Sequence, residues 1–210
     1  MNGTVYLVDD DDAVRGALAR LLEGKGLRVK AFASAEEFLV RARPGQGGCL
    51  ILDVRLPGAS GPELQETLAR QDIRLPVIFL TGHGDVSTSV RALKAGAFDF
   101  LEKPPDPAVL VERVRAALRL AAEQRRRHRA NQAAQARLAQ LTPREREIMP
   151  LVAHGYSSKE IGRRLGISHR TVELHRLHLM RKLGVRSVLE LAALVQGYNR
   201  AAPPSAAGDA

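Results

Sequence analysis

The amino-acid sequence predicts an α/β domain, a doubly wound five-stranded parallel sheet, joined by a helical linker to an all-α domain of four helices that holds a helix-turn-helix. Three observations carry this expectation. Over the first half of the chain, short apolar runs alternate with amphipathic segments, and strand-helix alternation builds parallel sheets. The second half instead carries three Ser/Thr-x-x-Glu boxes, Thr142 with Glu145, Ser157 with Glu160 and Ser187 with Glu190, each a helix start signal. The charge is also divided: residues 1–118 hold 15 Lys and Arg against 16 Asp and Glu, a net of −1, and residues 119–210 hold 17 against 7, a net of +10.

The strand-like runs are residues 5–8, 29–32, 50–52, 77–80 and 98–101. Val14, Leu18, Leu21 and Leu22 recur at helical spacing after the first, and Val86, Val90 and Leu93 do so after the fourth, in a helix opened by Asp85 and closed by Gly96. Asp106 as N-cap and Pro107 in the first turn begin a fifth helix, whose stripe of Val111, Val114 and Leu118 closes the domain. Residues 120–140 are rich in Ala, Gln and Arg, lack Gly and Pro, and read as a helical linker. Their basic run, Arg125-Arg126-Arg127-His128-Arg129, is either a solvated helix face or a DNA contact. The expected organisation is residues 1–119 as the α/β domain, 120–140 as the linker, 141–200 as the helix-turn-helix domain and 201–210 as a disordered tail.

Composition narrows the function classes. No run of about eighteen apolar residues exists, and Met1 leads straight into a strand without a basic leader or cleavage site, so the expectation is a cytoplasmic protein with no membrane partner. The single cysteine, Cys49, opens the run Cys49-Leu50-Ile51-Leu52 and reads as a packed thiol. A basic second half suits nucleic acid, although an anionic membrane or a solvated face gives the same count.

Chemistry concentrates at the strand ends. Asp9 to Asp12 follow the first strand and Asp53 ends the third. In a sheet of order 2-1-3-4-5 those strands are neighbours, and the crevice at their carboxyl ends is where such folds bind ligands. Clustered carboxylates repel unless a hard cation offsets them, and oxygen ligands suit Mg²⁺. Thr81 arrives at the same rim from the fourth strand and Lys103-Pro104 from the fifth. Asp53 as nucleophile, a metal and an ammonium to offset charge, and a hydroxyl to hold the product make a phosphoryl-transfer site.

Asp9-Asp10, Asp53, Thr81 and Lys103-Pro104 stand in the order and spacing of the receiver domain of two-component response regulators, which the chain resembles over roughly residues 1–120. The resemblance implies the receiver, flavodoxin-like fold and phosphate transfer to Asp53 from a sensor histidine kinase. It further implies Mg²⁺ held by Asp10, Asp53 and the Arg55 carbonyl with help from Asp9, and a switch in Thr81 and Phe100. A cis Lys103-Pro104 bond, pointing the ammonium into the pocket, is also expected. Arg55 and His83 occupy positions that tune phosphate lifetime in relatives. Taken singly, Asp11 and Asp12 also read as the start of a helix, Thr81 as a turn cap and Phe100 as core.

In the second half, residues 157–165 read as a scaffold helix, Gly166-Ile167-Ser168 as the turn and residues 169–183 as the recognition helix, ended by Gly184. Val172, Leu179 and Leu183 fall inward, which turns Arg170, Glu173, Leu174, Leu177 and Arg181 outward toward the major groove. Leu174 and Leu177 suit thymine methyls and Glu173 a cytosine amino group. Lys159, Arg170, Thr171, His175, Arg176 and Lys182 are candidates for phosphate contacts. Pro150 lies inside the preceding helix and should kink or shorten it.

The stretch from Leu141-Thr142-Pro143-Arg144-Glu145-Arg146-Glu147 through Thr171-Val172-Glu173-Leu174-His175-Arg176 to Lys182-Leu183 looks like a LuxR/NarL-type domain over about residues 138–198. The whole chain is similar to FixJ-type transcriptional regulators. That likeness implies a homodimer on double-stranded promoter DNA, with RNA polymerase as a further partner, and no enzyme. Two rivals stand beside it. In one, DNA binding is constitutive and the first domain only docks partners; in the other, Asp53 serves a magnesium-dependent phosphatase.

Overall fold

A computed structural model of the protein describes residues 3–42, 47–82 and 96–201, with residues 197–201 by backbone alone. The chain divides into two units, Met1–Arg125 and Arg126–Ala210.

In the first unit, β1 (Thr4–Val8), β2 (Arg28–Phe32), β3 (Gly48–Asp53), β4 (Val77–Thr81) and β5 (Asp99–Glu102) form one sheet. Its order is β2-β1-β3-β4-β5 with every neighbouring pair parallel, as the apolar runs predict. Parallel sheets are covered on both faces, and alternate side chains divide accordingly. Val5, Leu7, Cys49, Ile51, Ile78 and Leu80 enter one core with Leu18, Leu22, Leu110 and Val114. Tyr6, Val8, Leu50, Leu52, Val77 and Phe79 enter the other with Phe38, Leu64 and Leu68. The covering helices are α1 (Asp12–Gly24) and α4 (Pro107–Ala139) on the first face, and α2 (Ala35–Arg41) and α3 (Gly61–Arg70) on the second.

Register then sets the site. Val8 pairs with Leu52, Asp53 with Leu80 and Thr81 with Glu102, so Asp9, Asp53, Thr81 and Lys103 emerge at one edge. The Lys103-Pro104 bond is cis. The helix expected from Asp85 through Val86, Val90 and Leu93, together with His83, lies outside the described residues, as does most of the tail.

The fifth predicted helix begins where expected, with Asp106 Oδ1 accepting from the Ala108 and Val109 amides at 2.8 and 3.0 Å. It does not stop near Leu118. One helix of 33 residues, α4, runs to Ala139 and contains the linker. The apolar stripe ends near Ala121, but Ala, Gln and Arg are good helix formers and no Gly or Pro interrupts them.

The second unit holds α5 (Pro143–Ala153), α6 (Ser158–Leu165), α7 (His169–Leu183) and α8 (Val188–Ala201). Reciprocal capping boxes start α5 at Thr142/Glu145 and α6 at Ser157/Glu160. At the third, Ser187 accepts from the Glu190 amide at 3.1 Å while Glu190 reaches the Arg186 amide at 2.8 Å. Pro150 does not end α5, which runs three residues past it to Ala153. Ile148, Val152, Ile161, Val172, Leu179, Leu183 and Leu191 form the core.

Candidate phosphoacceptor pocket and nucleic-acid interface

The strand ends assemble a carboxylate cluster around one ammonium. Asp9 is fully buried, Asp53 is 7% exposed and Thr81 is 8% exposed, while Asp10 faces solvent. Lys103 Nζ stands 2.6 Å from Asp53 Oδ2 and 2.7 Å from Asp9 Oδ2. The Asp53 contact has hydrogen-bond geometry; the Asp9 contact is an ion pair without it. The other oxygens are held by backbone, Asp9 Oδ1 accepting from the Asp11 amide at 3.0 Å and Asp53 Oδ1 from the Arg55 amide at 3.1 Å.

Electrostatics follows from this crowding. Burial pushes the Asp9 carboxyl above its ordinary range, and the Lys103 ammonium and Asp11 amide only partly pull it back. Burial alone would lower the Lys103 ammonium, but Asp53 and Asp9 outweigh it and raise it. Among the described groups of this cluster, the Lys103 ammonium faces the carboxylates of Asp9, Asp10 and Asp53, a surplus of negative charge. A ligand oxygen from each of Asp9, Asp10 and Asp53 lies within 4.8 Å of the others. An oxygen-only donor set with surplus negative charge fits a hard divalent cation such as Mg²⁺.

Several supporting residues escaped the sequence reading. Arg15 donates to the Asp9 carbonyl at 2.7 Å and pairs with Asp12, pinning the β1–α1 turn. Glu36 accepts from the Ala59 amide at 3.2 Å and so ties α2 to the loop after Asp53. Gly61 lets α3 approach the end of β3: a Cβ there would lie 2.3 Å from the Asp53 carbonyl oxygen. The Arg15 contacts are local, whereas Glu36 and Ala59 stand 23 residues apart and Gly61 acts through backbone approach, neither of which a local pattern signals. Asp11 is the N-cap of α1, accepting from the Ala13 and Val14 amides, and Asp12 opens that helix. Phe100 is half-buried and stacks on Phe79 with centroids 5.0 Å apart.

In the second unit, Gly162 permits the tight turn of the helix-turn-helix, since a Cβ there would lie 2.7 Å from the Ile167 carbonyl oxygen. Ser168 caps α7 by accepting from the Thr171 amide at 3.0 Å. Val172, Leu179 and Leu183 are fully buried, so the opposite face, with Arg170, Thr171, Glu173, Leu174, Leu177 and Arg181, is exposed. Leu174 is 53% and Leu177 63% exposed, unusual for leucines on a merely solvated helix. Lys159, Gly162, Arg163 and residues 166–169 line an open groove beside the start of α7.

The remaining candidate cations are differently placed. His175 and Arg176 are half-buried, and Arg176 donates to the Tyr156 carbonyl at 3.3 Å. Lys182 pairs with a carboxylate: its ammonium lies 2.7 Å from Glu145 Oε2, and that carboxylate is only 2% exposed. Arg144 donates to the Leu165 carbonyl at 2.9 Å and Arg137 to the Leu183 carbonyl at 3.2 Å, satisfying the last carbonyls of α6 and α7.

Among the described residues no helix is long and apolar enough to cross a membrane. The response regulator receiver domain family matches residues 5–115, and the luxR family of bacterial regulatory proteins matches residues 139–195. Transcriptional regulatory protein FixJ of Azorhizobium caulinodans is 45% identical over 190 residues, 90% of each chain. Transcriptional regulatory protein TdiR of Thauera aromatica is 43% identical over 192 residues, 91% of this chain and 85% of that one. The solved structure of response regulator StyR matches with a TM-score of 0.88 at 42% identity, covering 94% of this chain and all of that one. With a parallel receiver sheet carrying the aspartate cluster, a helix-turn-helix later in the sequence and relatives matching along nearly its whole length, the chain belongs to the two-component response regulators that join a receiver to a LuxR-type DNA-binding domain and regulate transcription.

Proposed function

We propose that Asp53 accepts a phosphoryl group from a sensor histidine kinase and that this modification favours a dimer which binds promoter DNA through α7. The observation that carries the reading is Lys103 Nζ bridging Asp9 and Asp53 at 2.7 and 2.6 Å beside Asp10. An Asp53 carboxylate oxygen attacks the phosphorus of the kinase phosphohistidine, the P–N bond breaks, and an acyl phosphate forms as the imidazole departs. Asp9, Asp10, Asp53 and the Arg55 carbonyl would hold Mg²⁺, which offsets negative charge on the transferring oxygens. Lys103 does the same from the protein side, and the Thr81 hydroxyl holds the product.

The same contacts support a switch. Phosphate on Asp53 draws on Lys103 and Thr81, and Phe100, three residues before Lys103, repacks from its place on Phe79. Dimerisation then doubles the DNA contacts, with Arg170 and Lys159 on phosphate and Glu173, Leu174 and Leu177 at base edges. In this reading the protein acts in the cytoplasm, and RNA polymerase is the partner through which promoter binding alters transcription.

The test measures oligomeric state and binding to candidate promoter DNA, with and without a small phosphodonor and Mg²⁺, for wild type and Asp53→Ala. Dimers and tighter binding in wild type alone are expected. DNA binding that ignores both the donor and the substitution would leave the receiver without the control assigned to it.

A further inference from the structure

The recognition helix is seated on its own domain by two kinds of contact. Val172, Leu179 and Leu183 supply apolar burial, a non-directional driving force. Directional contacts come from Arg176 to the Tyr156 carbonyl, from Arg137 to the Leu183 carbonyl, and from Lys182 to Glu145. Only the last is a pair of opposite full charges.

Glu145 is a costly place for a charge. It is 2% exposed, and its Oε2 accepts from the Thr142 amide at 2.8 Å and from Lys182 Nζ at 2.7 Å. One carboxylate oxygen thereby locks the start of α5 to the last turn of α7. Glu145 is buried while the Lys182 side chain is 30% exposed, and an ion pair with a buried partner adds little stability over a well-packed apolar pair, because desolvation offsets the attraction; its attested use is to select one geometry. Counting about 100° per residue, Lys182 lies about 120° around α7 from Arg170, on the flank of the outward stripe. A rotation of about 10° moves a side-chain tip about 6 Å from the helix axis by about 1 Å, more than the roughly 0.5 Å tolerance of a recognition constellation.

We propose that the Glu145–Lys182 pair sets the rotation of α7 and so determines which base sequence the exposed face reads, with Lys182 a positioning residue and not a phosphate contact. This rests on DNA reading by α7. Removing the ammonium leaves the non-specific phosphate contacts in place but lets the helix settle at other rotations, so that discrimination between sequences falls while general affinity persists.

The experiment uses the full chain with a small phosphodonor and Mg²⁺. Duplexes enriched by wild type from a random pool serve as the specific probe, and base-scrambled duplexes of equal length as the non-specific one. For K182M we expect the salt dependence on the scrambled duplex to match wild type, specific-over-scrambled discrimination to fall about tenfold, and K182R to recover most of it. R170M, removing an exposed cation, should lower the salt slope by about one. The proposal is overturned if K182M lowers that slope by about one, or if its discrimination equals wild type. Should K182M or E145Q fail to fold by circular dichroism, the double variant E145Q/K182M leaves no lone buried charge and carries the same two outcomes. A wild-type chain that enriches no sequence overturns the DNA-reading premise itself, a failure distinct from that of the pair.

Discussion

Replacing Gly61 by alanine tests how the fold holds the phosphoacceptor strand. The residue opens α3, where alanine would ordinarily stabilise by up to about 1 kcal/mol through helix propensity. The structure reverses the sign. The new Cβ would lie 2.3 Å from the Asp53 carbonyl oxygen and 3.2 Å from its carbon, with Phe79 Cε1 at 3.0 Å on another side. Reaching even 3.0 Å from that oxygen requires the end of β3 or the start of α3 to retreat by 0.7 Å, and the obstacle is backbone that cannot rotate aside. Overpacking of this kind costs about 1–3 kcal/mol, so a net loss of about 1–2 kcal/mol is expected, a shift of roughly 0.5–1 M in the urea midpoint. Because the displaced backbone carries Asp53, labelling by a small phosphodonor should slow by on the order of tenfold or more. Gly24→Ala is the control: it ends α1 with nothing within 4 Å of the added carbon, and should be neutral or slightly stabilising. If Gly61→Ala unfolds at the same urea concentration as Gly24→Ala and labels at the wild-type rate, the close approach does not constrain the site.

Two further outcomes follow from buried groups. Burial pushes the Glu145 carboxyl up, but the Lys182 ammonium and the Thr142 amide and hydroxyl outweigh it and hold it below its ordinary 4.5. The fold therefore favours its charged form, and this contribution to stability is complete above about pH 4.5 and is lost as pH falls through the lower folded value. Protection of α5 and α7 amides, corrected for the intrinsic pH dependence of exchange, should fall over that window in wild type and lose this component in Glu145→Gln; equal pH dependence in both would remove Glu145 as the cause. Burial also pushes the Cys49 thiol up to about 12. Iodoacetamide at about pH 8 should leave it unmodified in the folded chain and alkylate it in strong guanidinium, because the thiolate is the nucleophile; ready alkylation of the folded chain would contradict the packing of β3.

Much of the pocket was legible because its residues sit where a repeating pattern ends. Asp9, Asp53, Thr81 and Lys103 each follow an apolar run, and parallel pairing in the order β2-β1-β3-β4-β5 carries such positions to a common edge. The recognition helix was legible for a similar reason, since Val172, Leu179 and Leu183 mark the buried side by period alone and leave Leu174 and Leu177 outside. Helix starts at Thr142 and Ser157 were legible because capping is local chemistry.

What the sequence by itself determined, then, is whatever depends on period and on neighbours within a turn: strands, helix starts, the buried face of each element and the residue types at the strand ends. The length of α4 lay at the margin, because the loss of an apolar stripe near Ala121 resembles an ending although nothing there breaks a helix. Only the tertiary structure decided the role of Gly61, the tie from Glu36 to Ala59 across 23 residues and the partner of Lys182, 37 residues away in Glu145. Helical period places Lys182 on a flank that suits a phosphate as well as a carboxylate. Which of them it meets depends on the packing of a second helix against the first, and that information resides in no window of the chain.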